Sequence, residues 1–354
     1  MADYILSDEE SKRISIIKLI GMIFVVFIHS YTENVNFSDG TMDLSRPMWL
    51  DMIEYVISQI ISRCGVPLFF LISAVLLYKK ERKYISTLKT KVRTLFVPYL
   101  IWNTFWILIF LLLQSMPYTS TYFSGSNTLI KDCNIMDWLQ LYGIGPEGPQ
   151  DYPLWFMRDL MIVTLIFPLI NKIVEKYPKC MMVLTITVLF LSYNFPLKTA
   201  LCWNIIGACV VHLNIRMRQI DHFPFAIISI VYAALVVAEL VLHYFNISSN
   251  ALHTVMILSG IIFWIRITKF IYINGLIQKY FLKIAQYTFI LFVAHELTLS
   301  CVKKVCIRIL PTMPIVLLLE YIFIPFFIIT LCCILAFLLK KYVPKQYEII
   351  TGKR

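Results

Sequence analysis

Charge is scarce in this sequence, and recognisable catalytic signatures are scarcer. Only 15% of the 354 residues are charged, against 59% hydrophobic and a mean hydropathy of +0.75. A soluble chain of this length cannot bury that much apolar surface, so a polytopic membrane protein is expected. There is no Gly-rich phosphate loop, which removes the common nucleotide-phosphate chemistry, and no G-x-S-x-G elbow, which removes a hydrolase-type serine. His295-Glu296 lacks the second histidine of an H-E-x-x-H helix. The nine cysteines show no metal-ligand spacing, and no metal is expected. Cys64, Cys202, Cys209, Cys301, Cys332 and Cys333 sit in or beside apolar stretches and read as small packing residues. No internal repeat, low-complexity run or soluble segment appears, so 1–354 is expected to form one membrane domain. Nothing before Ile14 resembles a cleavable signal peptide, because Asp8, Glu9 and Glu10 precede Lys12-Arg13.

What is present is a succession of apolar stretches. Ten candidate spans run near 14–31, 56–78, 96–116, 154–170, 180–195, 199–213, 223–243, 251–267, 284–302 and 314–339. The expected fold is all-α, a bundle of about ten transmembrane helices. Spans five and six are short, separated only by residues 195–198. With the N-terminus inside, the inward segments hold most of the 32 Lys and Arg, and both termini are expected to be cytoplasmic. Lys79, Lys80, Arg82, Lys83, Lys89, Lys91 and Arg93 crowd one inward loop, 79–95. The outward loops carry Glu33, Asp39, Asp43, Asp51, Glu54, Asp132, Asp137, Glu147 and Asp151. Lys303, Lys304 and Arg308 dissent by falling outside. The net charge of +11 is therefore mostly topology, and no nucleic-acid motif accompanies it.

Ionisable residues inside the apolar stretches suggest function by default. Lys18 and His29 frame the first span, separated by three helical turns and about 16 Å along one face. Either could be structural, Lys18 by snorkelling to the surface. Arg63 lies about two turns into the second span, close to Pro67, which should kink the helix and free backbone groups. Arginine stays charged and needs a carboxylate, a carbonyl cluster or an anion. Span four brings Trp155, Arg158 and Asp159; as helical neighbours about 100° apart, Arg158 and Asp159 are not expected to pair. Span nine carries His295 and Glu296 near mid-depth. His29, Arg63, Arg158 and Asp159 fall in the outer third, and Lys18 at the inner end. The cluster reads either as unrelated structural ion pairs or as a polar cavity with an anion-attracting inner mouth and a histidine-centred outer chamber.

These pieces together resemble the membrane-bound acyltransferase-3 family. Lys18 and His29 match its first-helix pattern of a basic residue, ten residues and a histidine. Val66-Pro67-Leu68-Phe69-Phe70-Leu71-Ile72-Ser73 is similar to its second-helix signature, and Phe96-Val97-Pro98-Tyr99-Leu100-Ile101-Trp102 to the start of its third helix. Leu154-Trp155-Phe156 resembles its fourth helix, and Tyr287-Thr288 with Phe292 and His295 a late-helix pattern. The chain departs from the family where Lys18 replaces arginine, Ala74 replaces glycine, and Thr288 and Phe292 replace serine and tyrosine. The paired arginines before the third helix are here Lys89, Lys91 and Arg93.

The resemblance implies a multi-pass inner (plasma) membrane O-acyltransferase. It would move an acyl group, commonly acetyl, from cytoplasmic acyl-CoA to a hydroxyl of an extracytoplasmic or lipid-linked glycan. Lys18, Lys91 and Arg93 would hold the donor phosphates; acetyl-CoA or another acyl-CoA is a substrate, and no permanent cofactor is expected. His29 would act as base or acyl carrier, with Arg63, Trp155, Arg158, Asp159, His295 and Glu296 around the substrate. The alternative is a secondary transporter or exporter of a glycan or its precursor, although no inverted repeat supports it.

Overall fold

Each of the ten apolar stretches carries helix, but the helices are unequal in length and regularity. The computed structural model describes residues 4–32, 34–44, 46–124, 129–145, 148–192, 195 and 197–353. Glu33 and Glu147, counted above among the outward acids, and Pro196 between spans five and six lie outside the described residues. Among the described residues six helices are long and apolar enough to cross a membrane: Asp8–Ser30, Met48–Tyr78, Tyr84–Ser115, Phe225–Tyr244, Asn250–Ile273 and Pro314–Tyr342. Pro178–Phe190 and Lys198–His212 have 13 and 15 residues, or about 20–23 Å, short of the ~30 Å hydrocarbon thickness. Thr288–Ile309 is long enough but carries Glu296, Lys303, Lys304 and Arg308.

Proline accounts for most departures from the expected boundaries. The span expected at 154–170 is broken: Tyr152–Leu165 and Phe167–Lys176 meet at 64°. Pro168 lacks the N–H that would continue the ladder and suits the first turn of a new helix, so the first segment ends at Leu165 and the second starts with Ile166 as its N-cap. Pro67 cannot donate to the carbonyl of Arg63. The winding accordingly passes from a π turn at Val56–Ile60, through a 3-10 turn at Ile61–Cys64, into the α-helix Gly65–Tyr78. The basic loop expected over 79–95 is mostly helix. Tyr84–Lys91 runs through a π turn, Val92–Phe96, into Val97–Ser115, the π turn absorbing the hydrogen bond that Pro98 cannot make. A small hairpin that the apolar pattern does not reveal pairs Asn34–Phe37 with Gly40–Asp43.

The described residues form two compact units that interleave in sequence, 1–28, 55–89 and 162–288 against 29–54, 90–161 and 289–354. In the first, Arg13 is 1% exposed. Its guanidinium forks onto Asp221 at 2.6 and 3.0 Å, and it also donates to Thr268 Oγ1 and the Ile265 carbonyl. That arrangement gives a permanently charged group the donors' partners it must have once buried. In the same unit Gly65–Tyr78 lies against Lys198–His212. A Cβ at Gly207 would overlap the Cβ of Ala74 and stand 3.0 Å from the Leu71 carbonyl oxygen. The alanine that replaces a family glycine at 74 is thus faced by a glycine.

In the second unit the hairpin turns Val35 and Phe37 inward onto Leu44, Leu50, Ile307 and Leu317. Indole N–H groups tie the long Tyr84–Ser115 helix to its neighbours: Trp106 donates to the Val293 carbonyl at 2.9 Å and Trp102 to that of Ile350 at 3.0 Å.

The Gly207–Ala74 contact leaves no room for another methyl. Gly207→Ala is expected to destabilise the protein by about 1–3 kcal/mol, the usual cost of overpacking, and adding Ala74→Gly should recover part of it. Thermal melting of the detergent-solubilised variants reads both effects.

Candidate active site

Two histidines of the second unit, His29 and His295, face each other. His29 stands in the last turn of Asp8–Ser30 and is half-buried. Its ring meets the edge of His295 with centroids 5.3 Å apart, and that of Tyr152 at 6.0 Å. His295, on Thr288–Ile309, is fully buried. Its Nδ1 lies 3.0 and 2.9 Å from the carbonyl oxygens of Leu291 and Phe292. Carbonyls only accept, so Nδ1 carries the proton, and in the neutral ring Nε2 is the basic nitrogen. That Nε2 has no hydrogen-bond partner among the described residues.

Two buried carboxyl groups, those of Glu296 and Asp151, lie in the same unit and act on each other. Glu296 accepts from Ser300 Oγ at 3.1 Å through Oε1, while its buried Oε2 is unpartnered among the described residues. Asp151 is 1% exposed. Its backbone N–H donates to Asn103 Oδ1 at 3.0 Å, and Asn103 Nδ2 donates to the Leu141 carbonyl at 2.8 Å. Its Oδ2 also lacks a partner among the described residues. Burial, with Glu296 adding repulsion, raises the Asp151 carboxyl well above the usual carboxylate range. Neither Asp151 nor Asn103 stood out in the sequence: one reads as a loop acid, the other as a polar residue in a long apolar helix.

Other expected site residues are placed differently. Arg158 and Asp159, expected not to pair, do so, with Nε 3.0 Å from Oδ1. The 100° offset separates their Cβ atoms, but the long arginine stem curls back, and its Nη1 reaches the Gly143 carbonyl at 3.2 Å. Trp155 is half-buried beside Phe156, whose ring packs edge-on to Phe292 at 5.9 Å. Lys91 is half-buried and Arg93 exposed, about 15–18 Å along their helix from Asn103. Lys18 and Arg63 belong to the first unit. Lys18 is half-buried there; Arg63 is exposed and donates one turn back to Gln59, which answers its need for an acceptor without an anion. A cavity of about 380 Å³ in the first unit is lined by Arg13, Arg216, Arg218, Lys269 and Asp221 among others.

The three cations that break the charge bias are each accounted for inside the second unit. Lys303 Nζ donates to the Ser30 carbonyl at 2.6 Å, Lys304 Nζ to that of Tyr122 at 2.8 Å, and Arg308 pairs with Asp39 at 2.6 Å. They are structural ties, so they carry no weight as topology signals.

Comparison with known sequences covers nearly all of this. The sequence profile of the acyltransferase-3 family, described as an acyltransferase domain, matches residues 11–339. The succinoglycan biosynthesis protein ExoH of Rhizobium meliloti (strain 1021) is 26% identical over 240 residues, 66% of this chain. The matched region spans 63% of that relative's length. No solved structure matches the chain.

The raised Asp151 carboxyl fixes a sign for pH dependence. Its folded pKa is raised, so its contribution to stability is present at acid pH and lost as pH rises through the folded value. Asp151→Asn, which mimics the neutral acid, should flatten the decline in melting temperature above the usual carboxylate range. An unchanged pH profile in that variant would contradict the assignment.

Proposed function

Since the chain belongs to the acyltransferase-3 family, we propose that it is a multi-pass inner-membrane O-acyltransferase. The donor is a cytoplasmic acyl-CoA, commonly acetyl-CoA, and the acceptor a hydroxyl of an extracytoplasmic or lipid-linked glycan. A succinoglycan biosynthesis protein among its relatives supports a surface polysaccharide or its precursor as acceptor. The observation that carries the reading is the His29–His295 pair, placed where a membrane helix ends, in the unit that also buries Glu296 and Asp151.

In this reading His29 takes the proton of the acceptor hydroxyl as its oxygen attacks the thioester carbonyl. The C–S bond breaks, and the thiolate leaves with the proton returned by the imidazolium. A two-step route, with the acyl group held on His29, uses the same groups. His295, its Nδ1–H committed to backbone carbonyls, keeps an edge-on contact that fixes the His29 ring. On this reading Lys18, eleven residues before His29 in the sequence, with Lys91 and Arg93, would hold the anionic end of a donor whose acyl group is carried on a long arm. Both termini are cytoplasmic on this scheme, as the charge bias favours.

Labelled acetyl-CoA supplied to inside-out vesicles tests the activity, followed by analysis of which glycan gains label. A transporter would move intact substrate and leave glycans unlabelled. His29→Gln should bind acyl-CoA and lose at least about 10²-fold in transfer rate, the scale of a positioned base; near-normal transfer would overturn the mechanism. Lys18→Ala should raise the acyl-CoA KM about 10- to 100-fold, the 1.5–3 kcal/mol of a charged hydrogen bond, with Lys18→Arg close to wild type. An unchanged KM returns Lys18 to a snorkelling role.

A further inference from the structure

The first helix ends at Ser30, one residue past His29, and a helix end leaves carbonyls without intrahelical partners. One of them, that of Ser30, accepts from the ammonium of Lys303 at 2.6 Å. Lys303 stands on the same helix as His295, eight residues on, or about 12 Å along the axis. That single helix therefore touches the end of the first helix twice, through the His295 ring against His29 and through Lys303 on the Ser30 carbonyl.

Lys303 is itself held in place. Glu54, Arg46 and Glu320 are the charged groups acting on it. Glu54 is 4% exposed and Glu320 7%, and Glu54 pairs with Arg46, which also lies over the Tyr31 ring at 4.6 Å. The Tyr31 hydroxyl donates to Asp51 at 2.8 Å, and the Tyr321 hydroxyl reaches the Glu54 carbonyl at 3.3 Å. Tyr31, Arg46, Asp51 and Glu54 are thereby linked with Lys303, Glu320 and Tyr321 of the helices Thr288–Ile309 and Pro314–Tyr342. An ammonium at a helix C-terminus also matches the sign of the helix dipole there.

We infer that Lys303 is a positioning residue for His29: it caps the turn that carries the histidine and, with His295, fixes that histidine's place relative to the Thr288–Ile309 helix. This rests on the acyl-transfer reading, in which His29 touches the reacting atoms. Lys303 acts through the backbone of Ser30 and touches no substrate.

The test uses full-length protein in native membranes and three variants: Lys303→Met, Lys303→Arg, and Lys303→Met combined with Glu320→Gln. The combined variant removes the donor to Ser30 without leaving Glu320 facing a lost charge. Two quantities are measured per folded molecule, the split of kcat from KM and the rate at which diethyl pyrocarbonate modifies His29, read by mass spectrometry. The combined variant should lose about 10- to 100-fold in kcat, as a displaced catalytic group does, with the acetyl-CoA KM little changed. Its His29 modification rate should shift, and Lys303→Arg should recover most of both. Normal kcat with an unchanged His29 rate would overturn the proposal. So would a loss that follows only the folded fraction. If wild-type protein acylates no acceptor yet the His29 rate still responds to Lys303, the acyl-transfer reading fails and the positioning role stands.

Discussion

Hydrocarbon offers no hydrogen bonds, so every polar atom in a membrane helix must find its partner within the chain. Most of this protein is arranged to meet that condition. Arg13 has a carboxylate, a hydroxyl and a carbonyl; Asn103 spans two backbone groups; two tryptophans reach carbonyls on neighbouring helices. Against that background the unmet atoms stand out. Nε2 of His295, Oε2 of Glu296 and Oδ2 of Asp151 are all buried in one unit without partners among the described residues. Leaving such an atom unmet costs about 1–3 kcal/mol; Arg46 Nη1 and Glu320 Oε2 of the same unit and six atoms of the first unit share that condition, so being unmet does not by itself mark a ligand site.

Much of this was legible in the sequence, for a simple reason. Apolar runs long enough to matter in a bilayer are visible without any knowledge of packing, and every run marked a helix. The ionisable residues inside them were equally visible, and His29 and His295 do meet. Tertiary geometry was not visible. The pairing of Arg158 with Asp159 depends on the reach of a flexible side chain rather than on helical phase. Asp151 looked like one more loop acid because nothing local announces that a loop residue will be 1% exposed. The helix through the basic 79–95 stretch was missed because charge was read as loop, whereas lysine and arginine are good helix formers. The hairpin escaped because two four-residue strands carry too little pattern to register.

The positive-inside bias, from which the orientation is inferred, has three exceptions in one stretch of sequence. Lys303, Lys304 and Arg308 looked like a contrary topological signal, yet each is tied to a carbonyl or carboxylate of its own unit. A charge count treats every cation as free to choose a side of the membrane; a cation with a structural obligation has no such choice. The exceptions to the rule were therefore pointers to built interactions, and one of them leads directly to the turn that bears His29.

The contact between Ala74 and Gly207 bears on how this chain can exchange parts with its relatives. The family resemblance leads one to expect glycine where this chain has Ala74, and here the opposing helix supplies a glycine, Gly207. The two positions together fix how closely the helices approach, so a change at one is constrained by the residue at the other. A chimera that borrowed Gly65–Tyr78 from a relative with glycine would leave a methyl-sized gap against this chain's Lys198–His212. The reverse graft, without a small residue opposite, would force the helices apart. A hybrid that carries both helices across together keeps the matched pair and avoids either misfit.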